Sequence, residues 1–444
     1  MDLLIKNGRV IDPANKVDGK FDILIEDSCI KEVAQAGSHR PPPKKDILTI
    51  DAKGKLVTPG LIDVHVHFRH SQDGCATRTK GMPKETIRSV SRAAAKGGFT
   101  TIICQPNLNP RVDEPSIVES ILDCAQKESL VNFYQSSCIT RGAEHKELVN
   151  IREMKKVGAI KLTDDGDPVI YEDLMYEALK ESKESDIVLS PHCESSPWSE
   201  SLRFTPWAEP ILSSNAIVYR SMSIESFFIK RDIGLDEKIG ARLHIAHVSL
   251  ASSVNEVREA KRRGLPITCE VTPQHLLLTK EDEAKYGTFA KVNPPLREKQ
   301  DTDALMEGLR DGTIDVIASD HAPHSRLLGS DWESAPFGII GVETTLSLVL
   351  SELVGKNGLS LYEAIAKLTS MPAEIFGLRA GSLGKGMPAD ITIIDLEKEW
   401  VVDVDKFESA GNNCPFNGWS LKGKAIMTIV GGKMVMSTDN NDKF

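Results

Sequence analysis

The chain has 444 residues, of which 40% are hydrophobic and 27% charged, so it is long enough to bury a large core. A formal net charge of -10 argues against a nucleic-acid partner, which requires a basic surface. No run approaches the roughly 18 apolar residues that a membrane helix needs, and the eight cysteines form no CxxC pair. We therefore expect a cytoplasmic protein with reduced thiols and no membrane or nucleic-acid partner.

Polar and apolar residues alternate near the amino terminus, a pattern typical of β-strands. It predicts strands at 3–6, 22–26 and 47–51, with turns at Asn7-Gly8 and Lys53-Gly54. Near the carboxyl terminus the same pattern predicts a strand at 390–395 and a hairpin at 426–435 through Gly431-Gly432. We predict that residues 1–55 and 386–444 together build one small β-sandwich domain.

The middle of the chain alternates between two kinds of segment. Eight apolar segments rich in β-branched residues predict strands at 56–67, 100–106, 131–139, 159–165, 186–194, 242–249, 266–273 and 313–324. Amphipathic helices are predicted between most of them, as at 85–96, 116–127, 171–183 and 254–263. Strands that alternate with helices pair in parallel. Eight such units predict an α/β fold with a (β/α)8 TIM barrel over residues 56–385.

Imidazole and carboxylate side chains lie at the ends of five predicted strands. His65 and His67 end the first, Asp164-Asp165 the fourth, His192 the fifth, His247 the sixth and Asp320 the eighth. Because the carboxyl ends of barrel strands build the active site, these side chains are expected at one rim.

The spacing of these residues predicts a metal centre. His65 and His67 are two residues apart, so on a strand they share a face and can bind one ion. Imidazoles suit zinc, and carboxylates compensate its charge. A pair of ions needs a bridging anion, for which the fourth strand offers two candidates: Asp165, or Lys161 if carbon dioxide carbamylates it.

Other polar residues near the strand ends have structural interpretations. His244 and His321 alternate with His247 and Asp320, so both are expected to face away from the metal. Asp164 is expected to cap a loop.

A set of motifs runs through the chain in the order VTPGLIDVHVHFR, CQPN, TDDG, PHCES, HIAHVS, VTPQHLLL, KVNPPLR, SDHAPH, APFGIIGVET, GMPADITIIDLEKEW and CPFNGW. In this combination they resemble the bacterial type I dihydroorotases of the amidohydrolase superfamily, over nearly the whole chain. The PGLIDVHVH motif is common to the superfamily, whereas KVNPPLR, SDHAPH and APFGIIGVET are more specific to dihydroorotases.

The resemblance implies a zinc enzyme that interconverts N-carbamoyl-L-aspartate and L-dihydroorotate in pyrimidine (UMP) biosynthesis. It implies one or two zinc ions, with two favoured. The first is bound by His65, His67 and Asp320, the second by His192 and His247, and Asp165 bridges them because the TDDG turn favours it over Lys161. Asp320 also serves as general base and then general acid for a zinc-activated water. The implied substrate contacts are Arg69, Asn107, Asn293, His324, Phe337 and Gly338.

Two alternative functions stay open. One is another cyclic amidohydrolase, such as an allantoinase or a hydantoinase, and the other is a non-catalytic partner of another pyrimidine-pathway enzyme. The chain keeps every expected metal ligand, which argues against the second. The sequence leaves open a homo-oligomer or an association with another enzyme of the pathway. Three segments depart from the family: 70–84 is longer than usual, 105–107 is Gln-Pro-Asn where the family has Met-Pro-Asn, and 197–210 follows no family pattern.

Overall fold

The computed structural model of the chain describes residues 2–38, 47–69, 85–194, 223–324 and 331–438. Its strands are β1 (Asp2–Asp12), β2 (Val17–Glu26), β3 (Cys29–Gln35), β4 (Ile47–Asp51), β5 (Leu56–Pro59), β6 (Leu61–Val66), β7 (Phe99–Cys104), β8 (Asn132–Gln135), β9 (Lys161–Leu162), β10 (Val188–Leu189), β11 (His244–Ile245), β12 (Thr268–Val271), β13 (Val316–Ile317), β14 (Ile391–Val401), β15 (Ser420–Val430) and β16 (Lys433–Ser437). Its α-helices are α1 (Ile87–Gly97), α2 (Pro115–Glu128), α3 (Ile151–Lys156), α4 (Glu172–Glu184), α5 (Ile224–Ile239), α6 (Ala251–Arg262), α7 (Pro273–Leu277), α8 (Glu283–Tyr286), α9 (Lys299–Arg310), α10 (Thr345–Leu348), α11 (Leu361–Leu368) and α12 (Ser370–Phe376). Among the described helices, none is both long enough and apolar enough to cross a membrane. The segments 70–84 and 197–210, singled out in the sequence, lie outside the described residues.

Strands from both ends of the chain form one sheet. Its order is β16-β15-β14-β5-β1-β2-β3, and β4 pairs with β1 in parallel. One face of this sheet carries a separate hydrophobic cluster that includes Leu3, Val10, Ile23, Ile391 and Ile429. Strands from both ends of the chain contribute buried side chains to this one cluster, so the two ends form a single layer.

The remaining strands are parallel and alternate with helices. They form the groups β6-β7-β8, β9-β10 and β11-β12-β13. Single parallel bridges connect the groups: Ser137 with Leu162, and Leu189 with Leu243. A further bridge joins Val66, at the end of the first strand, to His321 beyond the last. The fold is therefore α/β, and the carboxyl ends of all eight strands lie on one side because parallel strands share a direction.

Two local expectations from the sequence were wrong. The segment 56–67 is two strands, because the chain leaves the large sheet at Pro59 and joins β7 after Gly60. Gly60 permits this crossing, since a Cβ atom there would lie 2.0 Å from Thr100 Oγ1. The predicted turn at Asn7-Gly8 is a bulge inside β1, where Asn7 has a φ of 64° and the pairing with β2 shifts register.

Candidate metal centre

All six residues predicted as metal ligands meet where the parallel strands end. His65 belongs to β6, and His67 follows it; the others follow β9, β10, β11 and β13. The imidazole centroids of His65 and His67 are 5.4 Å apart, those of His65 and His247 5.0 Å, and those of His192 and His247 4.5 Å. All six side chains are buried. Residues separated by up to 255 positions therefore form one compact cluster.

Two sets of three ligand atoms within this cluster converge closely enough to bind a cation. His65, His67 and Asp320 form the first set, which is the set implied for the first zinc. His65, Asp165 and His247 form the second. His192 stands outside both sets, but its ring packs edge-on against His247. The second set thus differs from the implied pairing of His192 with His247.

Asp165 lies at the centre of the cluster. Its carboxylate oxygens are 3.2 Å from His65 Nε2, 3.5 Å from His67 Nε2 and 4.0 Å from His247 Nε2. Burial opposes its ionisation, but His65, His67 and His192 outweigh burial and hold the pKa of Asp165 well below its usual value. An ionised carboxylate that faces three imidazoles has the geometry of a bridging ligand.

Lys161, the other candidate bridge, is fully buried below this cluster. Its Nζ donates a hydrogen bond to Val64 O at 3.0 Å and lies 5.5 Å from the ring centroid of Phe376. Burial lowers the pKa of Lys161, and the carboxylates around it, Glu270 and Asp165 first, oppose that shift. The neighbouring Asp164 accepts hydrogen bonds from Ile139 N and from the backbone and hydroxyl of Thr140. It is the loop cap that the sequence predicted.

Hydrogen bonds on the far sides of two imidazoles orient their metal-facing nitrogens. His65 Nδ1 lies 2.6 Å from Glu270 Oε1, and His67 Nδ1 lies 2.9 Å from Asn107 Oδ1. Because these oxygens accept, each Nδ1 carries a proton, so Nε2 is the nitrogen that each neutral imidazole can offer to a metal ion. Asn107 also donates from Nδ2 to Asp165 at 2.9 Å, so both ends of its amide are occupied by the cluster.

The charges in the cluster fit a metal cation better than protons. Burial opposes a charge on His65, yet Glu270, Asp165 and Asp320 outweigh it and raise its pKa to about 10. Burial together with His192 and His65 lowers the pKa of His247 to about 3. Adjacent imidazoles cannot all be protonated, and His65 Nε2 and His192 Nδ1 are buried without a hydrogen-bond partner among the described residues. A shared cation satisfies these nitrogens and carboxylates together.

The backbone at two of these residues is strained. His247 has a φ of 22° and Asp320 a φ of 49°, in the left-handed region that residues other than glycine rarely adopt. Such conformations cost on the order of 1–3 kcal/mol and persist where the surroundings enforce them, often at active sites. Asp63 supplies part of that support, because its carboxylate accepts from Ser319 N at 3.1 Å, beside Asp320.

Sequence reasoning missed Glu270. It lies in the middle of β12, is fully buried, and accepts from both His65 and His244, the latter at 3.2 Å. His244 lies outside both ligand sets, and through Glu270 it supports His65. The only feature of the sequence that could have indicated Glu270 is a single acidic residue within an apolar strand. His321, which was predicted to face away from the metal, accepts at Nδ1 from Gly341 N at 3.2 Å.

The residues implied for substrate binding line the same rim. Asn293 Nδ2 donates to Gly166 O at 3.3 Å, next to Asp165. His324 Nε2 is 2.9 Å from Phe337 O and 3.3 Å from Arg69 Nη2. Burial, and then Arg69, lower the pKa of His324 to about 3, so its ring is neutral and has one N–H. Phe337 O is the nearer partner and can only accept, so the hydrogen of the ring lies on His324 Nε2. Nε2 therefore has no lone pair to accept a hydrogen bond from Arg69.

Arg69 therefore presents an unused donor fork beside the metal cluster. Its side chain is half-buried, and burial lowers the pKa of its guanidinium. Of the carboxylates in the described ranges, none forms an ion pair with it, although Asp165 and Asp320 favour its charge from a distance. A partly desolvated guanidinium without an anionic partner is suited to bind an anionic group of a ligand.

Comparisons with known proteins agree with this chemistry. The sequence model of the amidohydrolase family matches residues 56–435. A dihydroorotase of Pelotomaculum thermopropionicum is 44% identical, covering 98% of this chain and 99% of that protein. A dihydroorotase of Syntrophus aciditrophicus is 41% identical, covering 99% of this chain and 100% of that protein. Among solved structures, the L-hydantoinase (dihydropyrimidinase) of Arthrobacter aurescens is similar with a TM-score of 0.84 at 27% identity, covering 98% of this chain and 96% of that one.

Proposed function

Because the chain belongs to the amidohydrolase family and to the dihydroorotases within it, we propose that its rim cluster interconverts N-carbamoyl-L-aspartate and L-dihydroorotate in pyrimidine biosynthesis. The observation that carries this proposal is the position of the Arg69 fork, which pairs with no carboxylate of the described ranges, beside the metal-binding side chains. Dihydroorotate combines a cyclic amide with a carboxylate, which are the two groups that these features suit.

The proposed metal is zinc, with two ions favoured. His65, His67 and Asp320 would hold one ion, and His192 and His247 the other, with Asp165 between them. When bound, zinc supplies a Lewis acid for the amide carbonyl and lowers the pKa of a coordinated water to about 7. Imidazole and carboxylate donors without any thiolate suit zinc in its catalytic rather than its structural sites.

Asp320 is the proposed general base. Burial raises the cost of its charge, but His65, His67 and His247 outweigh burial and lower the pKa of Asp320, so its carboxylate is ionised at neutral pH. It can accept the proton of the attacking water and return it to the ring nitrogen as the carbon–nitrogen bond breaks. Asp320 Oδ1 lies 3.2 Å from His67 Nε2 and 3.5 Å from His65 Nε2, so it is at the reacting centre.

We also propose that the chain consists of a barrel and a small β-sandwich domain and that the protein is cytoplasmic. The bridge from Val66 to His321 supports a closed (β/α)8 barrel over residues 56–385. The sheet built from both ends of the chain supports a small β-sandwich domain of residues 1–55 and 386–444. The seven cysteines of the described ranges are free thiols, which supports the reducing cytoplasm.

Hydantoinases are the rival function, since solved hydantoinase structures are similar in fold. A hydantoin or dihydropyrimidine ring lacks the carboxylate and would leave the Arg69 fork unpaired. The zinc-loaded protein should therefore turn over L-dihydroorotate and cyclise N-carbamoyl-L-aspartate far faster than it acts on hydantoin, dihydrouracil or allantoin. Comparable or faster turnover of an uncarboxylated ring would overturn the proposal.

A substitution separates substrate recognition from chemistry. Arg69→Lys keeps the charge but loses the planar fork, so kcat/KM for dihydroorotate should fall steeply while zinc content stays normal. The loss should be smaller for any ring without the carboxylate, because the missing contact was never made. Arg152→Lys, at an exposed position of α3, is the matched control and should behave as the wild type. Equal losses for both kinds of ring would show that Arg69 supports the structure and does not recognise substrate.

A further inference from the structure

Asn413, far along the chain from the metal ligands, makes three hydrogen bonds at the rim. Its Nδ2 donates to Ala322 O at 2.9 Å and to Gly338 O at 2.7 Å, and its Oδ1 accepts from His324 N at 2.7 Å. The side chain is buried. Both hydrogens of its amide and one lone pair are thus used to connect two segments that carry proposed substrate contacts.

Backbone hydrogen bonds join the same three segments. Ala322 N donates to Ile339 O at 2.7 Å, and Ile340 N donates to Asn413 O at 2.9 Å. The Asn413 side chain adds bonds to both segments, so the position of Gly338 relative to His324 depends partly on it.

Lys291 holds the same region from the opposite side. We call residues 331–338 the Phe337 loop. Lys291 Nζ donates to the carbonyls of Trp332 at 2.5 Å, Glu333 at 3.3 Å and Ala335 at 2.7 Å. It lies 4.5 Å from the ring centroid of Phe337. Each of its three hydrogens therefore meets a backbone carbonyl of the loop, which leaves none to bind a ligand.

The end of the Phe337 loop is anchored as tightly. Gly338 N donates to Lys291 O at 2.9 Å, while Gly338 O accepts from Asn413. Gly338 has a φ of 119°, and a Cβ atom there would lie 2.4 Å from Ala322 Cβ. Phe337 O accepts from His324. The loop end is fixed on three sides before any ligand binds.

From these contacts we infer that Asn413 and Lys291 are positioning residues that hold the Phe337 loop against His324 and so preform the recognition of the substrate's carboxylate end. The inference rests on the proposed function. His324 Nε2 lies 2.9 Å from Phe337 O and 3.3 Å from Arg69 Nη2, so a displaced loop moves the imidazole that lies against the Arg69 fork without disturbing the metal ligands. Among the described residues neither side chain hydrogen-bonds to a metal-binding side chain, so we assign their contribution to binding rather than to the chemical step.

The test uses zinc-loaded full-length protein with Asn413→Asp and Lys291→Met. Asparagine to aspartate keeps the acceptor for His324 N but places a carboxylate against two carbonyls. Lysine to methionine keeps most of the side-chain length and removes all three donors. Each should raise KM for dihydroorotate about 10- to 30-fold, as expected for the loss of two hydrogen bonds in the Asn413 variant and three in the Lys291 variant, with kcat within about threefold of the wild type and zinc content unchanged. The control is Asn417→Asp in the same segment, since the exposed Asn417 side chain accepts from Val404 N, away from the Phe337 loop, and its replacement should change neither constant.

Amide hydrogen exchange of the peptide covering 331–340 gives a readout that needs no turnover. Exchange there should become faster in both variants and stay unchanged in the control. A KM within twofold of the wild type, a loss confined to kcat, a loss of zinc or unaltered exchange would each overturn the inference. If the wild type fails to convert dihydroorotate, the proposed function falls, and the exchange data still decide whether Asn413 and Lys291 hold the loop. Should one variant not fold, the other carries the same comparison.

Discussion

Glu270 orients the proposed metal ligand His65 through a hydrogen bond that a single substitution can change. Its Oε1 lies 2.6 Å from His65 Nδ1, and its Oε2 lies 3.2 Å from His244 Nε2. On its other side, His244 Nδ1 is 2.8 Å from Thr268 Oγ1. The carboxylate therefore fixes the proton of His65 on Nδ1 and the lone pair on Nε2, toward the metal.

Glu270→Gln leaves one oxygen for two imidazoles. The oxygen can stay with His65 if His244 changes tautomer, donating from Nδ1 to Thr268 and accepting from the new amide at Nε2. That arrangement keeps the metal-facing lone pair but removes a negative charge, so zinc affinity should fall about tenfold, or ~1.4 kcal/mol. Glu270→Leu leaves both imidazoles without an acceptor, and a loss of about 100-fold, or ~2.8 kcal/mol, is expected.

Competition of apo-protein with a chromophoric zinc chelator measures both affinities. Glu343→Gln is the matched control, because Glu343 is a buried carboxylate that accepts from Glu408 N and Ser409 N away from the cluster. A zinc affinity that decreases from the wild type to Glu270→Gln and again to Glu270→Leu is the result expected for an orienting hydrogen bond. Zinc affinities within twofold of the wild type in both Glu270 variants would refute the reasoning.

Three further predictions test the cluster and its surroundings. His65→Ala and His67→Ala should each lose bound zinc and turnover, and full occupancy by elemental analysis in either variant would reject that residue as a ligand. Asp320→Asn should lower kcat by about 10²–10⁴-fold, whereas a variant that keeps a tenth of the activity would point to another base. Burial raises the pKa of Glu343 to about 7 from 4.5, so folding favours its protonated form. Its contribution to stability is full below about pH 4.5 and is lost as pH rises through about 7. Relative to Glu343→Gln, the free energy of unfolding of the wild type should therefore fall by about 3 kcal/mol between these pH values in denaturant titrations. A difference between the two proteins that stays constant with pH would contradict this prediction.

The sequence predicted the strands and the metal cluster because both follow from periodicity. Parallel strands bring their carboxyl ends together, so His65, His192 and Asp320 could be placed at one rim without knowledge of any contact. Alternation along a strand was enough to pair His65 with His67. These inferences depend only on position within an element.

Contacts between distant segments could not be predicted in this way. Glu270 is one acid in an apolar strand, and no spacing connects it with His65. Asn413 reaches His324 only because a segment near the carboxyl terminus folds back over the last strand end. The break after Pro59 depends on the closeness of Thr100 to Gly60. In each case the deciding interaction joins residues that no local pattern relates.

The choice between Asp165 and Lys161 as the bridge stays a proposal, on which the charges around the two side chains bear. Burial lowers the pKa of Lys161, while Glu270, Asp165, Asp63 and Asp320 oppose that shift, and Lys161 Nζ donates to Val64 O. Carbamylation would place a further negative charge beside these four carboxylates. Asp165 already faces three imidazoles as an anion. These contacts favour Asp165 as the proposed bridge, with Lys161 left unmodified.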